Sequence, residues 1–372
     1  MFPYTGEFRE KIIQDGRKHY RSTSFTPRPL MEGGFFEMDD ELALLLISAH
    51  CSLGILDGMV KYMPNREVIR DLMILKECYY SRLIDYNEPG LFEVMASINT
   101  GKPDYSHIGH IATAYKRAIG RQIGGRTLPE TCTMALYGEE PEEKVYLRKT
   151  SIQISRRYDP APATEVLPAI NDMSRFIADC KDIDILAKAA LAHYQFEAIH
   201  PFEYYNGIVG RIMTPMILHN AGYESASYFN LSQYMYFHAN DYFDLLQRTQ
   251  FSGGYLIWVK FFVKGIGAAT KHAIDQIDEM QRVIAADEDK IKTSKSSTKS
   301  TWMVYNYYKK NLVSTLRPAA DKLGIAYNSV LKAVSILVDL GVLTSMDKKV
   351  RYRSYRHREL VEIINKTAKG KG

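Results

Sequence analysis

The sequence is short of the features that would place a protein outside the cell or in a membrane. Four cysteines occur in 372 residues, Cys51, Cys78, Cys132 and Cys180, and their scatter fits neither a disulfide framework nor a metal-ligand spacing. No apolar run approaches the roughly 20 residues that span a bilayer. The longest, around Leu42–Ile47, is interrupted by Ser48 and His50. The start, Met1-Phe2-Pro3-Tyr4 followed by Glu7, Arg9 and Glu10, lacks the basic and apolar regions of a signal peptide. These absences lead to the expectation of a cytoplasmic chain with no membrane partner.

What is present is ordinary in amount and uneven in placement. Hydrophobic residues make up 46% and charged residues 24%, and the length allows two or three domains with their own cores. The net charge is +5, yet residues 291–372 hold 17 Lys+Arg against 5 Asp+Glu, a surplus of 12 that leaves −7 for residues 1–290. Such polarity points to different partners for the two parts.

Apolar periodicity predicts a mainly α chain. Residues 1–38, rich in Tyr, Phe, Pro and Gly, read as an N-terminal arm with little regular structure. A helix starts at Asp39-Asp40 and a second at Pro64-Asn65, followed by helical stretches at about 91–122, 163–180, 183–198, 207–221, 231–250 and 255–284. Before residue 300 the strand signal is Val145–Ile154, where β-branched and charged residues alternate. Residues 287–300, with Lys-Thr-Ser-Lys-Ser-Ser-Thr-Lys-Ser, read as a mobile linker. Beyond it, helices at about 301–312, 316–322 and 327–340 precede two alternating runs, Val342–Ser345 and Val350–Tyr355. That order predicts a winged helix-turn-helix domain over 301–372.

The most informative stretch is His200-Pro201-Phe202-Glu203-Tyr204-Tyr205-Asn206-Gly207-Ile208-Val209-Gly210-Arg211. An asparagine cap opening a helix leaves backbone N–H groups and the positive end of the dipole available to an anion. Gly207, Gly210 and Arg211, spaced i, i+3 and i+4, are expected on one face. There a phosphate could approach the backbone and an arginine close on it. His200 stands just ahead, where a base would stand. Nucleotide-phosphate binding beside a proton acceptor is the expectation.

This stretch resembles the Fic (Fido) motif, His-Pro-Phe-x-Asp/Glu-Gly/Ala-Asn-Gly-Arg-x-x-Arg. His200, Pro201, Phe202, Asn206, Gly207 and Arg211 match in register, whereas Tyr204, Tyr205 and Ile208 replace the acidic residue, the small residue and the first arginine. The resemblance extends over about 40–285 and implies a Fic domain at 39–286 with a small β-hairpin flap. It implies AMP transfer from ATP to a protein hydroxyl, of a target or of the chain itself, with His200 as base and Asn206, Gly207, Gly210 and Arg211 on the phosphates. Tyr234 falls where such proteins line the adenosine pocket, and Ser151, Ile152 and Gln153 fall in the flap. Ser81 and Asp85 resemble the inhibitory Ser/Thr-x-x-x-Glu element, whose acid pairs with the second motif arginine. Tyr204 stands at the Mg²⁺-holding position, so no protein metal ligand is expected and Mg²⁺ would travel with ATP.

The competing reading is an inactive Fic-domain regulator whose winged helix binds DNA. Asn328, Ser329 and Lys332 on the third helix, with Lys348, Lys349, Arg351 and Arg353 of the wing, are its candidate DNA contacts. Wings also serve protein contacts, and a homodimer is allowed.

Overall fold

The computed structural model describes residues 5–15, 18–100, 106–138, 143–152, 154, 160–346 and 353–367. The chain opens on an antiparallel hairpin, β1 (Gly6–Asp15) and β2 (Lys18–Pro27), paired from Gly6↔Pro27 to Asp15↔Lys18. The expected irregular arm is therefore regular. It is anchored where Thr5 Oγ1 donates to Thr249 O at 3.0 Å and Phe8 stacks on Phe251.

Among the described residues eleven α-helices follow before the basic region: α1 (Asp40–Tyr62), α2 (Arg66–Asp85), α3 (Leu91–Thr100), α4 (Ser106–Ala118), α5 (Thr127–Tyr137), α6 (Ala163–Asp179), α7 (Ile185–Ile199), α8 (Asn206–Asn220), α9 (Leu231–Phe237), α10 (Ala239–Ser252) and α11 (Tyr255–Thr293). Their ends follow local chemistry. The Asp39 side chain accepts from Leu42 N at 2.9 Å and Asp184 from Leu186 N at 2.8 Å, each capping a helix start. The stretch expected helical over 91–122 holds α3 and α4, with 101–105 outside the described residues, and the one over 231–250 breaks at His238.

Helix α7 is the centre of the molecule, with every residue from Leu186 to Ile199 buried. Helix α8 packs along it, and α1 and α2 flank the bundle beside α11 and α9. Helix α1 is long and apolar enough to cross a membrane by length and composition alone, and a third of its most apolar stretch is buried in the fold. The helix tolerates Ser48 and His50 because His50 Nδ1 meets Tyr223 Oη and Nε2 meets Asp184 Oδ2, both at 2.7 Å.

Two further expectations change. Residues 145–152 carry no strand, so the flap hairpin is not seen among the described residues, and Gln153 lies outside them. The linker at 287–300 is helical up to Thr293, because Asp287 and Ile291 are buried and Asp287 meets His357 at 3.2 Å. Only residues 294–298 separate α11 from α12 (Lys299–Asn311).

After α12 come β3 (Val313–Thr315), α13 (Leu316–Leu323), α14 (Tyr327–Asp339), β4 (Leu343–Ser345), β5 (Ser354–His357) and α15 (Arg358–Ile364). The strands form an antiparallel sheet in the order β3-β5-β4. Val304, Tyr305, Tyr308, Val330, Val334 and Leu337 form a second core under it. Helix α15 belongs instead to the first core, where Leu360, Val361 and Ile364 are buried.

Candidate functional site

The α7–α8 turn is held by an arginine that lies just ahead of the expected flap residues. Arg148 is buried and donates from Nε to His200 O at 2.7 Å and from Nη2 to Ile199 O at 3.0 Å and to Ala161 O. Its own N–H donates to Pro201 O at 2.9 Å. The carbonyls left over at the end of α7 are thereby satisfied by one planar cation. Burial draws the Arg148 guanidinium down to about 10. No local signal marks Arg148 for this task, because its partners lie up to 53 residues on.

His200 closes α7 in the left-handed conformation, φ 50° and ψ 65°. Its Nδ1 lies 4.0 Å from Glu197 Oε2. Burial, then the Arg148 charge, push its pKa down to about 3, so the imidazole is neutral across the physiological range. A neutral ring carries a lone pair on the nitrogen that bears no hydrogen.

Asn206 does not act as an external cap. It is the first residue of α8, and its buried side chain turns back on the loop: Oδ1 accepts from Phe202 N and Nδ2 donates to Phe202 O, both at 2.8 Å. Tyr205 is the capping residue, in the left-handed conformation with φ 65°. Asn206 therefore staples the turn, and the anion-facing donors are the amides of the first turn of α8.

The two glycines face different neighbours. A Cβ on Gly207 would lie 2.8 Å from Arg211 Nη1 and 2.9 Å from Asp85 Oδ2. A Cβ on Gly210 would lie 2.7 Å from Glu197 Oε1 and 3.0 Å from Phe196 Cδ1. Gly210 thus lets α8 close on α7, and its carbonyl meets His193 Nδ1 at 3.1 Å. The expected common face holds for Gly207 and Arg211 only, since the neighbouring helix claims Gly210.

Arg211 is buried and already occupied. Nε donates to Ser81 Oγ at 2.8 Å, and Nη2 to Ser81 O at 2.8 Å and to Asp85 Oδ2 at 2.5 Å. Burial opposes its charge, but Asp85, Tyr242 and Glu197 outweigh this and raise its pKa. Ser81 and Asp85, one turn apart on α2, thus meet the motif arginine as the resemblance implied, and the shorter carboxylate reaches it.

The end of α2 is tied to the motif by further contacts. The Arg82 guanidinium lies 3.5 Å from the centre of the Tyr86 ring, donates to Tyr205 Oη at 3.0 Å and pairs with Glu88 at 2.8 Å. Tyr205, the bulky replacement in the motif, is thus a partner of the end of α2.

Tyr204 is 65% exposed, with its carbonyl accepting from Cys132 Sγ at 3.6 Å. Among the described residues no group of three His, Cys, Asp or Glu side chains could hold a metal ion. Tyr234 stacks on His238, with ring centres 4.1 Å apart, and packs over Gly265, a contact between α9 and α11 that explains its position without a ligand. Ser151 and Ile152 are half-buried in an irregular segment. On α14, Asn328 and Lys332 are exposed and Ser329 half-buried, whereas Lys348, Lys349 and Arg351 lie outside the described residues and Arg353 directly precedes β5.

The chain is similar to known proteins in sequence and in fold. A probable protein adenylyltransferase of Aquifex aeolicus is 30% identical over 92 residues, which make up 25% of this chain and 29% of that protein. The matched part is therefore under a third of the length of this curated relative. The crystal structure of a Fic family protein from Desulfovibrio desulfuricans G20 superposes with a TM-score of 0.57 at 16% identity, covering 87% of this chain and 98% of that one, a likeness of fold. Residues 118–218, from the end of α4 through most of α8, match the Fic/DOC family. The chain carries a Fic/DOC family domain that contains the whole of the stapled α7–α8 turn and its arginine.

Proposed function

We propose that this chain transfers AMP from ATP to a protein hydroxyl, on itself or on a partner, and that Asp85 keeps the site closed until it leaves Arg211. One observation carries the reading: a buried arginine in the second turn of α8, beside a glycine with no room for a side chain, is held by a partly exposed carboxylate at 2.5 Å. Once Asp85 withdraws, Arg211 and the first-turn amides of α8 are left with the donors that a phosphate chain requires. The hydroxyl oxygen attacks the α-phosphorus, the bond to pyrophosphate breaks, and the hydroxyl proton passes to neutral His200. Proton removal by a positioned base is worth roughly 10²–10⁴-fold. The donor set around Tyr204 does not fit a protein-held Mg²⁺, because an exposed phenol is a poor ligand for a hard cation, and no step here passes through one.

The test is incubation with ATP labelled at the α-phosphate. Slow self-labelling is expected for the parent, faster labelling for Asp85→Ala, and none for Asp85→Ala/His200→Ala. Equal labelling of all three would reject His200 as base and Asp85 as inhibitor together. Tyr204→Glu should make the labelling more dependent on Mg²⁺.

A second reading is supported by the C-terminal elements. We infer that α12 to β5 act as a winged helix-turn-helix that binds DNA, α14 presenting Asn328 and Lys332 to the groove. The helix-strand-helix-helix-strand-strand order and the three-stranded sheet support it. Binding to duplex DNA should weaken steeply with salt, and Lys332→Ala should lower the affinity. Salt-independent binding would point to a protein partner instead.

A further inference from the structure

We propose that the outer face of α1 is the docking surface for a second copy of this chain, with the two α1 helices antiparallel about a two-fold axis at Cys51. The inner face of α1, from Leu42 and Leu46 to Leu56 and Val60, is buried, and α1 lies along α11. The outer face is also apolar, yet Leu44 is 67% exposed, Ile47 60% and Ile55 61%, with Cys51 exposed between them. Soluble chains rarely leave a continuous apolar stripe in water unless something covers it.

The order of residues along the stripe identifies the occupant. Counting outward from Cys51, four residues away in each direction lie Ile47 and Ile55, seven away Leu44 and Gly58, and ten away Glu41 and Lys61. All are steps of three or four, so they share a helix face. A two-fold axis at Cys51 sets Ile47 against Ile55 of the other copy and Leu44 against Gly58. A Cβ built on Gly58 meets nothing within 4 Å, which leaves room for the leucine. The same axis sets Glu41 against Lys61, both exposed, whereas a parallel pair would set like charges together. Large against small and acid against base, each contact occurring twice, is the self-complementarity that an isologous interface requires. Glu41 also pairs with Lys260 in its own chain at 2.5 Å, which holds it at the rim.

A lipid surface is the other conceivable cover. A helix lying on lipid carries several basic residues along its polar edges, whereas Lys61 is the one Lys or Arg in α1. Two helices alone cover less than the roughly 1,200 Å² of a standard interface, so the expected dimer is weak and reversible.

The experiment combines sedimentation at high micromolar concentration with a short bismaleimide crosslinker, in the full chain carrying Cys180→Ser. Dimer that grows with concentration, and a crosslink lost in Cys51→Ser, are expected. Ile55→Glu should return the monomer with an unchanged melting temperature. Glu41→Lys and Lys61→Glu should each weaken the dimer, and the double exchange should restore it. A monomer throughout with no Cys51 crosslink would overturn the proposal, as would binding of the parent, but not of Ile55→Glu, to phosphatidylcholine–phosphatidylserine vesicles. Failure of the double exchange to restore a dimer that both single changes weaken would overturn the antiparallel arrangement.

Discussion

Helices α1 and α2 are neighbours in the chain and opposites in the fold. Helix α1 turns Leu44, Ile47 and Ile55 to solvent, while α2 buries Lys76, Glu77 and Ser81. Each of the buried groups has a named partner: Lys76 Nζ donates to Gln276 Oε1 at 3.0 Å, Glu77 accepts from Ser232 Oγ at 2.5 Å, and Ser81 meets Arg211. Burying polar groups without such partners would cost several kcal/mol. An apolar face in water has no comparable internal arrangement to satisfy. Sensitivity to change should therefore concentrate in α2 for folding and in α1 for association.

The largest expected effect tests the polar side of that contrast. Asp85→Ala removes the carboxylate paired with the Arg211 cation, in a pair whose acid is partly exposed. We expect a loss of roughly 1–3 kcal/mol, between the values for exposed and buried pairs, measured by urea unfolding without nucleotide. Millimolar ATP should recover much of the loss if its phosphates take the place of the carboxylate. A stability unchanged from the parent would mean that the pair carries no load.

A smaller effect concerns pH. Burial raises Glu77 from its ordinary 4.5 to about 7, against the Ser232 hydrogen bonds, and lowers Lys76 from 10.5 to about 7, against the attraction of Glu77. Between 4.5 and 7 the folded chain keeps a Glu77 proton that the unfolded chain gives up, so stability falls as pH rises. Between 7 and 10.5 the unfolded chain keeps a Lys76 proton that the folded chain lacks, so stability rises again. The two residues together place a minimum near neutrality. Glu77→Gln should remove the falling limb and Lys76→Met the rising one, read as melting temperature against pH. A profile unaltered by either substitution would refute the assignment.

The smallest expected effect is on the other helix. Leu44→Ser and Ile47→Ser should shift monomer stability by no more than about 0.5 kcal/mol, because neither side chain is buried. A larger loss in urea unfolding would show that the stripe already packs against something within its own chain, and the contrast between the helices would fail.

Local chemistry made part of this molecule legible. Asp39 and Asp184 cap the helices they precede, and the His200–Arg211 stretch makes a tight turn into a helix, because capping and turn formation act within a few residues. The match of residues 118–218 to the Fic/DOC family likewise includes the stretch that resembled its motif. Other features were out of reach. The N-terminal hairpin was hidden by a Pro- and Gly-containing composition, and α11 overran the expected linker once Asp287 found His357. Asn206 turned inward to its own loop and Gly210 toward α7, although spacing alone allowed both to face a phosphate.

The amino-acid sequence by itself determined the helical periodicity, the charge asymmetry and the order of groups along the α7–α8 turn, all of which depend on near neighbours. Only the tertiary structure decided that Arg148 holds that turn from 52 residues away, that Arg82 reaches Tyr205 from more than 120 residues away, and that α1 keeps an apolar face in water. The physical reason is one of range. Caps and turns are complete within a few residues, whereas a buried charge or an exposed face is defined by whichever distant element packing brings beside it.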